Sequence, residues 1–179
     1  MLEALTIIAV ILVIAVAAVL AYAATRPDTF SVQRSLDIKA PPDKIFALIT
    51  DLRGWIAWSP YEKRDPDLKR TYSGAPSGKG AAYAWDGNKN VGAGRMEITD
   101  TAPASRIVIA LEFLRPFKAQ NTAEFTIKPQ GDTTHVTWAM HGPNLYIGKV
   151  MSTFINMDRM VGKDFEDGLA NLKAVAEKS

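Results

Sequence analysis

The sequence predicts an α+β fold in which a curved antiparallel sheet wraps around one long C-terminal helix. Across residues 144–177, apolar side chains recur three or four positions apart, which is typical of one face of an amphipathic helix. Gly148 and Gly162 are the candidate points for a break in it. Before it come segments of alternating apolar and polar residues, typical of half-buried strands. A helix with one apolar face needs a partner, and the sheet is the simplest one.

The chain has 179 residues, enough for one domain with a core and a separate N-terminal segment. Its formal net charge of +2 comes from 21 basic and 19 acidic residues that form no basic tract, so we expect no nucleic-acid partner. The sequence contains no cysteine, which excludes a disulfide framework and thiol catalysis.

Residues 4–24 carry no charge, and their number is close to the ~20 that a helix needs to cross a bilayer. The rival interpretation is a cleaved signal peptide, since small alanines end the segment. No Lys or Arg precedes it and its apolar run is long for a signal peptide, so we favour a single-pass anchor. The predicted organisation is a transmembrane anchor at 1–26, a linker at 27–29 and a ligand-binding domain at 30–179.

The first strand is predicted at residues 29–39, with Arg34 on its apolar side, where it must be near a strand end or paired inside. Two prolines within residues 40–43 end this strand and start a short helix. A second short helix or turn follows and carries two tryptophans. Six further strands are predicted at residues 68–72, 81–86, 91–101, 106–114, 118–128 and 133–141.

This element order is accompanied by two motifs: I-x-A-P-P-x-x-I-F at residues 38–46, and W-x-x-W-S-P at residues 55–60 after Asp51. Together they resemble the START-like superfamily and, within it, the bacterial SRPBCC, or polyketide cyclase and dehydrase, proteins. The resemblance covers residues 30–176 and implies a helix-grip fold: a seven-stranded sheet curls around the last helix and leaves a hydrophobic cavity. Family members bind lipids, sterols, hormones or polyketides, and only some are enzymes.

Side chains that would face the cavity follow from strand alternation, because successive residues point to opposite faces. We expect the two tryptophans after the first helix to cover one mouth, and Gly162 and Gly168 to let the sheet or a ligand approach the last helix. Composition alone favours a closed core, whereas the resemblance favours a cavity. The predicted lining residues are Trp55, Trp58, Tyr83, Trp85, Met96, Ile98, Phe113, Asn121, Phe125, Trp138, Met140, Phe154, Met157, Met160 and Val161.

No catalytic residue is predicted. His135 and His141 fall on the outward face of the last strand, without carboxylate or cysteine partners at metal-ligand spacing. Asn121 is a polar amide among inward apolar residues, so it must bond a ligand carbonyl, a neighbouring Tyr83 or Tyr146, or a buried water. We therefore expect neither a metal nor a cofactor.

The first functional hypothesis is a membrane-anchored domain that binds a hydrophobic small molecule or lipid without chemistry. Anchoring through residues 4–24 suits such a ligand, because apolar molecules partition into the bilayer. An enzyme of the polyketide cyclase or dehydrase type is one alternative, with Asn121, Arg95 or a tyrosine positioning a ketone. A ligand-free interaction module is the other. The expected location is the bacterial inner membrane, with the orientation left open because the charges flanking the anchor are nearly balanced.

Overall fold

A seven-stranded antiparallel sheet with the strand order β1-β7-β6-β5-β4-β3-β2 is the frame of the molecule. The structure is a computed structural model that describes residues 2–154 and 156–178. Its strands are β1 (Thr29–Ile38), β2 (Lys69–Gly74), β3 (Ala81–Asp86), β4 (Ala93–Ala102), β5 (Arg106–Arg115), β6 (Ala119–Gln130) and β7 (Thr133–Pro143). Its helices are α1 (Leu2–Ala24), α2 (Pro42–Thr50), a short 3₁₀ helix (Gly54–Ala57), α3 (Tyr146–Phe154) and α4 (Met157–Ala176).

The sheet is built mainly from hairpins. Strands β2 to β6 each pair with the next strand along the chain, because short turns leave antiparallel pairing as the local solution. The β6–β7 turn uses Gly131 at φ +63°, a left-handed conformation that glycine adopts without strain. Strand β1 pairs with β7 at the opposite edge from β2, so α2 and the 3₁₀ helix cross one face of the sheet between them. The predicted helix-grip fold is confirmed.

The C-terminal helical region is divided in two, and the predicted break points are wrong. Both Gly148 and Gly162 lie inside helices, and the division falls between α3 and α4. Asn156 caps α4: its side-chain oxygen accepts a hydrogen bond of 2.9 Å from the backbone N–H of Arg159. A side-chain acceptor of this kind starts a helix by satisfying a free N–H, which outweighs the weak helix-breaking tendency of a glycine.

Two glycines let α4 lie close against the sheet, as predicted. A Cβ at Gly168 would stand 2.6 Å from the Trp138 ring, and one at Gly162 would overlap the Arg34 guanidinium. Arg34 is paired rather than at a strand end, since it bonds Glu166 at 2.8 Å and Asp158 at 3.1 Å. These contacts fix α4 along β1.

Helix α1 is long and apolar enough to span a bilayer, with a mean hydropathy of 3.1 in its candidate span and none of that window buried. Its C-terminal end contacts α3. The Tyr146 hydroxyl donates to the Leu20 carbonyl at 2.9 Å, and the Lys149 ammonium bonds the Asp28 carboxylate at 2.5 Å. The residues that connect α1 to β1 are thus held against the start of α3.

Candidate functional site

The inner face of the sheet, the face toward α4, has a densely packed half. Trp138 stacks on Phe165 of α4 with ring centroids 4.3 Å apart, and on Phe125 of the neighbouring strand at 4.9 Å. Trp55 of the 3₁₀ helix and Trp58, the residue that follows this helix, complete the cluster, with ring centroids 4.7 Å apart. Interlocked rings of this kind leave little free volume.

Both tryptophans donate a hydrogen bond to a backbone carbonyl of α2. The Trp55 indole N–H donates to Ile49 at 2.9 Å and that of Trp58 to Leu48 at 3.3 Å. Both side chains are buried. They fill the interior of the domain, whereas the sequence predicts that they cover one mouth of the cavity. The structure therefore places several predicted lining residues in packed core because their large side chains meet one another: Trp55, Trp58, Ile98, Phe125 and Trp138.

The other half of the inner face, toward the sheet end where β1 follows α1, is less completely buried. Its side chains point the same way as the packed half, as strand alternation predicts, but remain half-buried. Phe113 meets Trp85 edge to face at 5.9 Å, across Gly94, which has no side chain to separate them. We call this part the groove, defined by Trp85, Leu111, Phe113, Asn121 and Met140.

Residues predicted on the helical side are less enclosed. Val161 is half-buried, whereas Phe154, Met157 and Met160 are 73%, 39% and 51% exposed. Tyr83 and Met96 are buried where the groove meets the packed half. The structure thus brings the strand residues together as one largely apolar surface, and leaves the side chains of Phe154, Met157 and Met160 exposed.

Asn121 is the polar member of the groove. Its side-chain oxygen is buried without a hydrogen-bond partner among the described residues. The sequence offered Tyr83 and Tyr146 as partners, but both hydroxyls donate elsewhere, to Glu62 and to the Leu20 carbonyl. Burying an amide oxygen without a partner costs about 1–3 kcal/mol, so this atom is a ready acceptor for a donor group.

A buried ionic cluster beside the groove was missed by sequence reasoning. The Glu62 carboxylate, nearly inaccessible to solvent, accepts hydrogen bonds from the Tyr83 hydroxyl at 2.8 Å and from Arg70 Nε at 2.7 Å. Glu62 lies in a connecting segment, where alternation assigns no face. The burial of Glu62 could have been inferred from its partners. Arg70 and Tyr83 both occupy inward positions, and each needs a polar neighbour there.

Burial, followed by the hydrogen bond to Glu62, raises the pKa of Tyr83 well above its ordinary value of 10.0. Burial likewise raises the pKa of Tyr72, with a smaller contribution from the charge of Glu62. Both phenols stay protonated in the folded chain at a pH where they would ionise in the unfolded chain.

The protein is therefore expected to lose stability as the pH rises past the ordinary tyrosine value of 10.0. Above that pH the unfolded chain releases protons that the folded chain keeps, so the equilibrium shifts toward unfolding. Melting temperatures measured from about pH 8 to about pH 11 should fall steeply for the wild type. Tyr83→Phe should melt lower at neutral pH, because Glu62 loses a donor, but its decline should be shallower. Equal slopes for the two proteins would contradict this assignment.

A second recess, of about 400 Å³, lies on the sheet's outer face, away from α4. Most of its lining side chains, among them Ala110, Thr122 and His141, alternate with groove residues and so point outward. His135 lies on the same face and bonds Asp37 at 2.6 Å. Within residues 2–154 and 156–178, no three His, Asp or Glu side chains gather as a metal site would require.

Comparison with known proteins connects this geometry to a family. Residues 29–177 match the family described as polyketide cyclase / dehydrase and lipid transport. No curated protein matches the chain.

Solved structures share the fold at low identity. Protein CV1439 from Chromobacterium violaceum is 13% identical with a TM-score of 0.59, and the match covers 86% of this chain and 100% of that one. The di-domain ARO/CYC StfQ from the steffimycin biosynthetic pathway is 15% identical with a TM-score of 0.63, over 83% of this chain and 51% of that one. DynU16, from the dynemicin biosynthetic locus, is 18% identical with a TM-score of 0.57, over 86% and 48%.

These identities establish a common fold and carry no further detail of the site. The family match is stronger, because it extends from the first residue of β1 to the end of α4. It also agrees with the resemblance carried by the proline and tryptophan motifs after β1. This chain belongs to the polyketide cyclase/dehydrase and lipid transport family.

Proposed function

We propose that this protein is a membrane-anchored domain that binds a hydrophobic small molecule or a lipid in the groove. One observation carries the proposal: half of the inner face is packed ring against ring, while Trp85, Leu111, Phe113 and Met140 remain half-buried beside it. A folded chain usually covers such residues. An apolar ligand would cover them here.

Covering this surface would contribute favourably to binding. At about 25 cal/mol per Å² of apolar surface removed from water, a ligand that covers about 200 Å² would gain about 5 kcal/mol before its own ordering cost. Flexible Met140 beside rigid aromatic rings allows the surface to adapt to different shapes. The groove therefore suits a class of apolar ligands more than one rigid molecule.

Asn121 adds a preference within that class. Its unpaired side-chain oxygen accepts a hydrogen bond, so a ligand with a hydroxyl or amide donor near one end gains both contact and orientation. A purely hydrocarbon ligand would leave the buried oxygen unsatisfied. The proposed cargo is thus an apolar molecule with one polar end.

The proposed anchor is α1, whose length and hydropathy fit a bilayer and whose most apolar window is not buried. A bilayer concentrates apolar molecules. A domain held at the bilayer surface takes up such molecules without their having to pass through water.

The test is ligand capture by the full chain purified in detergent or nanodiscs, measured by native mass spectrometry with lipid extraction and by uptake of a fluorescent fatty acid. Leu111→Trp should reduce uptake about tenfold or more, equivalent to about 1.4 kcal/mol, because the indole fills the groove. The matched control is Ala110→Trp on the same strand, whose side chain points to the outer face. It should bind like the wild type.

Two results would argue against the groove. Loss of uptake in Ala110→Trp but not in Leu111→Trp would move the site to the outer recess. No uptake by the wild type, together with no copurifying apolar compound, would instead favour the ligand-free interaction module.

A further inference from the structure

The structure carries a second set of exposed apolar side chains, outside the groove and at the α1 end of the domain. We infer that they form a rim that inserts into the bilayer interface, so that the groove opens directly onto the membrane. The inference rests on the proposed anchoring by α1. The apolar rim comprises Leu114, Phe117, Ile147 and Phe154, which are all exposed.

The β5–β6 hairpin places part of this rim beyond the start of β1. Thr122 of β6 pairs with His141 of β7, which pairs with Ser31 of β1, so these residues lie at one level of the sheet. From that level, Thr29 lies two residues toward α1 and Phe117 lies five residues in the same direction. At ~3.3 Å per residue, β6 reaches about 3 Å farther in this direction than Thr29 before it ends at Ala119, and Phe117 lies in the turn beyond that end.

Helix α3 fixes the other part of the rim. Its first residue, Tyr146, bonds the carbonyl of Leu20, four residues before α1 ends at Ala24. At ~1.5 Å per residue, this contact lies about 6 Å inside the end of the apolar helix. The start of α3 is therefore at the depth of the bilayer interface, where tyrosine side chains are favoured.

The direction of α4 limits the rim on this side of the domain. Arg34, in the middle of β1, bonds Asp158, whereas Lys39, just after β1, bonds Glu177 through its backbone N–H. Helix α4 therefore runs away from α1, and its first turn lies beside the middle of β1, so Met157 and Met160 lie outside the rim. The rim thus consists of the β5–β6 hairpin and α3, both at the α1 end of the domain where the groove lies.

Charge on the rim also fits a bilayer surface. Lys118 follows Phe117 directly, and Arg26 lies just past the end of α1. Long basic side chains beside inserted apolar residues reach the headgroups while their stems stay in the apolar layer. The bilayer is favoured over a second copy of the chain as the occupant, because α1 already holds the rim at this depth.

The test uses the full chain in lipid nanodiscs, with single cysteines introduced for an environment-sensitive fluorophore. The native sequence contains no cysteine, so each label is unique. Phe117→Cys and Phe154→Cys report on the rim. Ile56→Cys is the matched apolar control, since Ile56 is 52% exposed and Phe117 is 55% exposed. Asp132→Cys labels the β6–β7 turn at the opposite end of the sheet.

With lipids that carry a shallow spin-label quencher, the labels at 117 and 154 should be quenched several-fold more than those at 56 and 132. Equal quenching at 117 and 56, in a chain that resists alkaline extraction from membranes, would overturn the rim while leaving the anchor intact. A chain that alkaline extraction releases would overturn the anchor and the rim together. A third outcome would show that a second copy of the chain covers the rim. In that case the label at 117 reports an apolar environment that quencher lipid does not affect, and this signal is lost in nanodiscs that hold one chain each.

Discussion

Replacing Trp138 with alanine is expected to lower the free energy of unfolding by about 3–5 kcal/mol, as for other large buried aromatic side chains. The indole is only 3% exposed and lies between Phe165 of α4 and Phe125 of β6. Its removal leaves a cavity at the place where the sheet, the 3₁₀ helix and α4 meet. The surrounding rings are too rigid to collapse into it, so most of the loss should appear in the measured stability.

The measurement is urea unfolding followed by far-ultraviolet circular dichroism, which does not depend on the deleted tryptophan. Met140→Ala is the matched control, because Met140 lies two residues farther along the same strand and on the same face, within the groove. Met140→Ala should lower the free energy of unfolding by about 1 kcal/mol or less, since a half-buried side chain loses fewer contacts. Equal losses at the two positions would mean that the groove is packed as tightly as the core.

This contrast also marks what sequence could establish. Strand alternation assigned Phe125, Trp138 and Met140 to one face, and the structure confirms the face for all three. Alternation says nothing about position along the strand. Whether an inward residue is packed or open depends on where α4 and the 3₁₀ helix cross it, and that is a tertiary property.

The same limit explains the two other differences. The division between α3 and α4 depends on one capping side chain, Asn156, which helical periodicity treats as an ordinary polar residue. Glu62 stands in a connecting segment with no period, so its burial follows only from the approach of Arg70 and Tyr83. Local sequence patterns predicted the helices and strands well, whereas the burial of residues at the site depends on contacts between residues far apart in the sequence.

Family membership does not decide whether the protein only binds a ligand or also catalyses a reaction. The family includes both lipid transport and cyclase or dehydrase members by its description, and the fold alone does not choose. The choice depends on whether a proton donor or acceptor reaches the ligand. One ionisable cluster beside the groove is that of Glu62, and its carboxylate is engaged by Arg70 and Tyr83.

Glu62→Ala should lower the free energy of unfolding by about 3–5 kcal/mol, because it leaves the charge of Arg70 and the hydroxyl of Tyr83 without their shared partner. The same urea titration measures it. Glu112→Gln, at an exposed carboxylate on the outer face, is the control and should change stability by about 0.5 kcal/mol or less. The double variant Glu62→Ala/Arg70→Met should be more stable than Glu62→Ala alone, because it removes the uncompensated charge.

Glu62→Gln then separates a structural role from a catalytic one. The amide keeps the side chain's shape but loses its charge, so a moderate loss of about 1.5–3 kcal/mol is expected. Below its melting temperature this variant should take up the fluorescent fatty acid as the wild type does, since Glu62 holds the wall of the groove and lies outside its lining. If Glu62→Gln instead abolishes turnover of a polyketone while uptake and folding persist, proton transfer through Tyr83 becomes the better account of the cluster.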